Sequence, residues 1–296
     1  MKRLLNAFAL TIGLLVALTN ASAQRLQQVF ETPQQAMEAF GQAVQAKDSA
    51  ALVAILGADY QDVIPPVSKD DYQKFVAAWT KQHSLKMDSA DRAHIEVGGD
   101  GWLLPIPMEK IRAGWFFDMD AAEEEVRIFN IGANELAVIK TMMAYYDAQN
   151  EYAEKDRLGD GVLQYAQKVR STPGRMDGLY WPTNAGEPQS PLGELFAQAA
   201  ARSGIDREGF HGYHYRILTA QGKNAQGGAQ SYVVNGRMIG GFGLVAWPVD
   251  YDETGVMSFI VNHQGVVYEK NLGPDTARVV KQITTFNPDA SWQQVK

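Results

Sequence analysis

The residues best suited to chemistry in this 296-residue chain cluster near its last third. His211 and His214 stand three apart, with Arg216 two positions further on. On a strand, His214 and Arg216 face one side while Tyr213 and Tyr215 face the other. Two histidines at this spacing supply part of a zinc tetrahedron, and a third ligand must arrive from elsewhere. No His-Glu-x-x-His string provides it. The pair therefore reads as hydrogen-bonded sheet histidines, and no metal is expected.

Other constellations are weaker. Glu123, Glu124 and Glu125, with Asp118 and Asp120, form an acidic run expected just ahead of a helix, where the helix dipole favours negative charge. Glycoside hydrolysis needs two carboxylates opposed across a cleft, an arrangement that spacing alone does not supply. Asp156 and Asp160 are calcium-type oxygen ligands, but their spacing fits no EF-hand loop. Neither a Gly-x-Ser-x-Gly string nor the Gly-Lys-Thr/Ser ending of a phosphate loop occurs. With zero cysteines, thiol catalysis, thiolate metal sites and CxxC redox chemistry are excluded. Tyr180, Trp181 and Trp247 are the kind of aromatics that line sugar-binding surfaces, although core packing is the favoured use of such large rings.

These residues need a scaffold, and its elements follow from periodicity. Thr32-Pro33 starts a helix with a capping hydroxyl and a proline at its first position. Met37, Phe40 and Val44 mark its inner face. Asp48 starts a second helix with Leu52, Ile55 and Leu56 inward, stopped by Gly57. Ser68 and Asp70 open a third, burying Tyr72, Phe75, Val76 and Trp79, so that residues 30–86 read as helical. Short strands are expected at His94–Val97, Leu103–Met108 and Trp115–Asp118. Pro105 and Pro107 donate no ladder hydrogen bond and place the middle one at an edge.

Residues 132–155 carry the strongest helical pattern. Leu136, Val138, Ile139, Met142, Met143, Tyr145, Tyr146 and Tyr152 fall on one broad face, as in a helix packed on two sides. A shorter helix is expected through Val162, Tyr165 and Val169. Residues 171–193, rich in Pro and Gly, read as a structured loop carrying Tyr180 and Trp181. A helix over Leu192–Ala201 follows. Strands are expected at Tyr213–Leu218, Ser231–Val234, Phe242–Ala246, Val256–Val261 and Val266–Tyr268, then a last helix at Thr276–Ile283. The resulting class is α+β: an N-terminal helical region with short strands over 24–118, and an α+β domain over 119–296 with a long spine helix and an antiparallel sheet.

The N-terminus has the pattern of a cleavable signal peptide. Lys2 and Arg3 precede an apolar run from Leu4 to Leu18, and Ala21-Ser22-Ala23 offers small residues to a signal peptidase, which predicts cleavage before Gln24. The run is shorter than the roughly 20 residues a membrane-spanning helix needs. No later span is expected. Cleavage of 23 of the 296 residues leaves 273, enough for a sizeable core. Taking Lys2 and Arg3 from 27 basic residues leaves 25 against 34 acidic ones, a net charge of −9. With no basic clusters, a nucleic-acid partner is not expected.

Several strings resemble a known family. They are Asn-Glu-Leu-Ala at 134–137, Asp-Ala-Gln-Asn-Glu-Tyr-Ala at 147–153, and Ser-Thr-Pro-Gly-Arg-Met-Asp-Gly-Leu-Tyr-Trp-Pro at 171–182. His-Gly-Tyr-His-Tyr-Arg-Ile-Leu-Thr-Ala-Gln-Gly at 211–222, Gly-Phe-Gly-Leu-Val-Ala-Trp-Pro at 241–248 and Thr-Gly-Val-Met-Ser-Phe-Ile-Val-Asn at 254–262 continue the series. Together they resemble the bacterial family catalogued as domain of unknown function 2950. The resemblance implies an exported bacterial protein without an assigned activity and carries no functional residues over.

A second resemblance is confined to the C-terminal part. Ala148, Gln149, Tyr152, Pro248, Tyr251, Thr254, Gly255, Phe259, Val261, Asn262, Gly265 and Tyr268 are similar to the pattern of type II secretion pseudopilin globular domains. That likeness implies a pilin-like fold. It departs from the family at the N-terminus, because the apolar segment that a pseudopilin keeps is here the one removed.

The expectation from sequence is a non-enzymatic periplasmic binding or assembly module without a cofactor. Its partner would be an envelope protein or a small ligand, and its candidate binding surface Tyr180, Trp181, His211, His214 and Arg216. The alternative is a periplasmic hydrolase using histidines and carboxylates around 171–216. A cleft that lines up His211, His214 and a carboxylate would favour the second.

Overall fold

The structure, a computed structural model, describes residues 27–184, 186, 189–193 and 209–295. The chain divides into two compact units at Ala122/Glu123, where the sequence places the boundary after 118. The class is α+β, with helices and antiparallel sheets in both halves.

The first unit begins with α1 (Pro33–Ala46), α2 (Ser49–Leu56), α3 (Tyr60–Val63) and α4 (Lys69–Lys81). Local chemistry sets their starts. Thr32 and Gln35 form a reciprocal capping box around Pro33. The Asp48 carboxylate accepts the N–H groups of Ala50 and Ala51, and Ser68 caps α4. Next come β1 (His83–Met87), β2 (Arg92–Val97), β3 (Trp102–Leu103), β4 (Met108–Ile111) and β5 (Gly114–Phe117). The sheet runs β1-β2-β4-β5, with β3 pairing β2 as well. A single expected strand over Leu103–Met108 is thus two. Pro105 and Pro107 lie in neither strand; they separate β3 from β4, because a proline donates no ladder hydrogen bond. Residues 83–86, expected as helix, fall in β1, which pairs along its whole length with β2. Met37, Phe40, Ile55, Leu56, Trp79, Ile95, Met108 and Phe117 make one buried cluster.

The second unit is built on α5 (Met119–Ala153), which starts well before the expected residue 132. Asp118 accepts the Ala121 N–H at 3.1 Å, so the acidic run lies inside the first turns of the helix rather than ahead of it. Val138, Met142, Tyr145 and Tyr152 are fully buried on the inner face of α5, while Leu136 is exposed. They pack on an antiparallel sheet of β6 (Tyr213–Leu218), β11 (Gly243–Pro248), β12 (Met257–Asn262), β13 (Tyr268–Asn271) and β14 (Gln293–Gln294), in the order β14-β13-β12-β11-β6. Two small ribbons, β7 (Ala220–Gln221) with β8 (Gln230–Ser231) and β9 (Val233–Val234) with β10 (Arg237–Met238), replace the expected strand Ser231–Val234.

Every residue of β11 is buried, which requires cover on both faces. Leu244 and Ala246 join the α5 side; Val245 and Trp247 join Leu218, Ile260, Val280 and Phe286 on the other. Arg216 secures that second layer. Its Nη2 donates to the Val280 and Ile283 carbonyls, both at 2.7 Å, where the helix Thr276–Val279 tightens into a 3₁₀ turn at Val280–Gln282.

Candidate functional site

The site grows from the irregular segment that follows α5. Gly159 and Gly161 adopt left-handed backbone (φ 69° and 80°), so the chain wraps around Asp156, whose two carboxylate oxygens accept their N–H groups at 2.8 Å each. Those amide bonds hold Asp156 below the usual carboxylate range. Asp160 pairs with Arg237 at 2.9 Å. Both carboxylates are thereby occupied. Among the described residues, no group of three or more metal-ligating side chains occurs.

Residues 162–169, expected as a helix, are not one. Their backbone bonds go elsewhere: the Tyr165 N–H to the Met238 carbonyl at 2.8 Å, and Ala166 to the side chain of Gln149. Fully buried Gln149 accepts the Ala166 N–H and donates to its carbonyl, both at 2.8 Å, with a second donation to the Tyr145 hydroxyl at 2.9 Å. One buried amide thus does for this segment what a ladder does for a strand.

The chain then closes a tight loop. Tyr180 donates to Val169 and Ser171 to Tyr180, both at 2.8 Å. Inside it, Asp177 accepts from the Thr172 N–H at 2.7 Å, the Thr172 hydroxyl at 2.9 Å and Lys168 Nζ at 2.8 Å. Burial works against its ionisation, but Lys168 and Thr172 outweigh that and bring its pKa to about 2. The Tyr152 hydroxyl donates to the Met176 carbonyl at 2.6 Å, and burial pushes this phenol up to about 12.

Between this loop and the end of α5 lies a cleft of about 750 Å³. Its charged lining is Arg157, Lys168, Arg175 and Asp177; Tyr152, Leu158, Tyr165 and Met176 supply apolar surface. Lys168 and Asp177 neutralise each other. Arg157 and Arg175 have no carboxylate partner among the described residues. The Arg157 guanidinium carbon lies 5.8 Å from the Tyr152 ring centre and 5.3 Å from that of Trp181, and its buried Nε has no hydrogen-bond partner.

The residues singled out from sequence are dispersed. Tyr180 and Trp181 are buried and present no open stacking face; Trp181 backs Arg157, and Tyr180 carries Arg170 over its ring. His211 has left-handed backbone (φ 52°) and lies against Phe210, with burial depressing its pKa. His214 lies 5.5 Å from the Trp247 ring on the opposite face from Tyr213, as the strand alternation requires. Burial lowers its pKa while Asp250 opposes the shift. Arg216 is committed to the Val280 and Ile283 carbonyls. Neither histidine lines the cleft. Arg157, Lys168, Arg175 and Asp177 went unrecognised in sequence. The one local signal was the Pro-Gly-Arg-Met-Asp string at 173–177, a turn that carries a cation and an anion two apart.

Ala21, Ala23 and Gln24, and most of the expected helix Leu192–Ala201, lie outside the described residues. Among the described residues, no helix is long and apolar enough to cross a membrane. The family model described as "Protein of unknown function (DUF2950)" matches residues 27–295. No match to a curated protein was found.

Proposed function

The chain belongs to the DUF2950 family, whose description assigns no activity, and from its own residues we propose that it is an exported, non-enzymatic binding module that takes a small ligand into the cleft beside the 168–180 loop. The observation that supports this reading is a cleft with two arginines held beside apolar surface and, among the described residues, no ion pair to quench them. A catalytic reading asks for a nucleophile or acid–base pair converging on a cavity. Among the described residues the one carboxylate lining this cleft, Asp177, is tied to Lys168 and Thr172. A cleft of this size that sets polar groups beside apolar surface is of the kind that takes small molecules. Export is supported by Lys2, Arg3, the Leu4–Leu18 run and the Ala21-Ser22-Ala23 site.

The test is occlusion. Gln167 is exposed at the cleft wall, so Gln167→Trp fills the opening without entering the core. Native mass spectrometry of protein purified from envelope extracts should find a small molecule on the wild type and none on the variant. Identical spectra for the two would remove the cleft from consideration. The mass of the exported protein checks the N-terminus: an intact Met1 would end the export reading.

A further inference from the structure

Resting on the reading that this cleft binds a ligand, we propose that the ligand is a small organic carboxylate with an apolar body, its carboxylate held by Arg157 and Arg175. Three observations lead there. The sign of the charge is the first. The protein is acidic overall, with 34 acidic against 27 basic residues, yet this lining holds two arginines without carboxylate partners among the described residues. The nearest anion is closed off: Asp177 already accepts from Lys168 and from both the amide and the hydroxyl of Thr172. A ligand that brings no negative charge would desolvate the guanidiniums without pairing them.

The chemistry of the donors is the second. A guanidinium presents its N–H groups as a planar fork that matches a carboxylate. Arg157 sits over the Tyr152 and Trp181 rings, and its terminal N–H groups have no hydrogen-bond partner among the described residues. Arg175 projects from the turn at Gly174, which is tied by the Arg175 N–H to the Thr172 carbonyl at 2.9 Å. Two guanidiniums from separate segments, Arg157 after the end of α5 and Arg175 in the loop, thus line the same cleft.

The rest of the lining is the third. Leu158, Tyr165, Ala166 and Met176 offer a surface that an inorganic anion would leave wet. Leu158 is a large apolar side chain left 45% exposed at this edge. The volume, about 750 Å³, suits a molecule of drug-like size or two to three peptide residues. A free organic acid and the C-terminal carboxylate of a short peptide present the same chemistry.

Isothermal titration of the purified protein separates the cases. The probes are 4-phenylbutyrate with its amide, N-acetyl-Leu-Phe with its C-terminal amide, neutral 4-phenylbutanol, and inorganic phosphate. At least one acid should bind, and its amide should bind about 30-fold or more weakly. Which acid binds distinguishes a free acid from a peptide terminus. Arg175→Gln, at an exposed side chain, should weaken the acid about tenfold or more and leave the circular dichroism unchanged. Arg157→Gln should do the same, with Arg175→Gln as the control if it fails to fold. An amide that binds as tightly as its acid, or phosphate that binds while both acids do not, overturns the carboxylate assignment and keeps the cleft as a binding site. If none of the probes binds, the cleft itself is not a ligand site and both readings fall.

Discussion

Both units bury aromatic rings and pair charges, but they differ in the polar side chains they take inside. In the first, rings fill the interior: Phe40 packs 5.9 Å from Trp79 and 5.5 Å from Phe117, and Phe75 lies 5.8 Å from Trp79. Along its sheet Arg92 pairs with Glu109 at 2.8 Å, and His94 Nδ1 lies 2.5 Å from an Asp88 carboxylate oxygen. In the second unit, amides go inside. Gln149 serves Ala166, and Gln221 donates to the carbonyls of Gln226 and Gly228 at 2.9 and 2.7 Å while accepting from the Tyr232 hydroxyl at 3.0 Å. A buried amide needs irregular backbone to satisfy, and irregular backbone can turn side chains into a cleft that regular elements would have filled. The second unit holds Arg157 and Arg175, which line such a cleft without a carboxylate partner among the described residues.

Four substitutions probe that contrast, beginning with the closed core. Trp79 is 3% exposed and touches three rings, and its indole fits against Gly41 where a Cβ would collide. Trp79→Ala should cost about 3–5 kcal/mol in urea unfolding, the range for a buried aromatic truncated to a cavity. A cost below about 1 kcal/mol would show that the aromatic cluster is not what holds this unit together. Gln149→Leu comes next. It is nearly isosteric but strands the Ala166 N–H and carbonyl, and should cost about 2–4 kcal/mol. Because Ala166 lines the cleft, ligand affinity should fall as well; affinity unchanged alongside lost stability would separate the amide from the site.

Asp177→Asn should cost less, about 1–2 kcal/mol at neutral pH, discounted because the pair with Lys168 is only partly buried. The direction with pH is fixed by its depressed pKa. The carboxylate contributes fully above its unfolded value of 3.8 and loses that contribution as pH falls through the folded value of about 2. The stability gap between wild type and variant should therefore be constant above about pH 5 and close toward pH 2. A gap that persists at pH 2 would mean the loop is held by something other than the carboxylate.

How far these features could be read from sequence depends on how local their causes are. Thr32, Asp48 and Ser68 were legible as helix starts because a cap needs only its next three residues. The strand Tyr213–Leu218 was legible because alternation of Tyr213 and Tyr215 with His214 and Arg216 marks two faces directly. The first turns of α5 were not, since Glu123–Glu125 and Arg127 dilute the apolar period there; Arg127 instead pairs with Asp252, far along the chain, at 2.9 Å. Val162, Tyr165 and Val169 mimic helical spacing, but Tyr165 bonds Met238 and Val169 bonds Tyr180, partners beyond the reach of a helical period. The cleft shares that difficulty. Arg157 and Arg175 are 18 positions apart and neither sits in a motif. What marks them is that neither pairs with a carboxylate among the described residues, which only the fold can show.

The smallest expected effect belongs to the histidine that the sequence favoured most. His211 occupies left-handed backbone, which asparagine tolerates better than most residues, so His211→Asn should change stability by about 0.5 kcal/mol or less. Its ring rests on Phe210 and lies outside the cleft lining, so the affinity for a bound acid should stay within about twofold, against the roughly tenfold loss expected for Arg175→Gln. If His211→Asn instead matched the arginine variant, the ligand would have to reach the turn before β6. The second unit would then carry a histidine-lined site, and the hydrolytic alternative would regain the geometry it lacks.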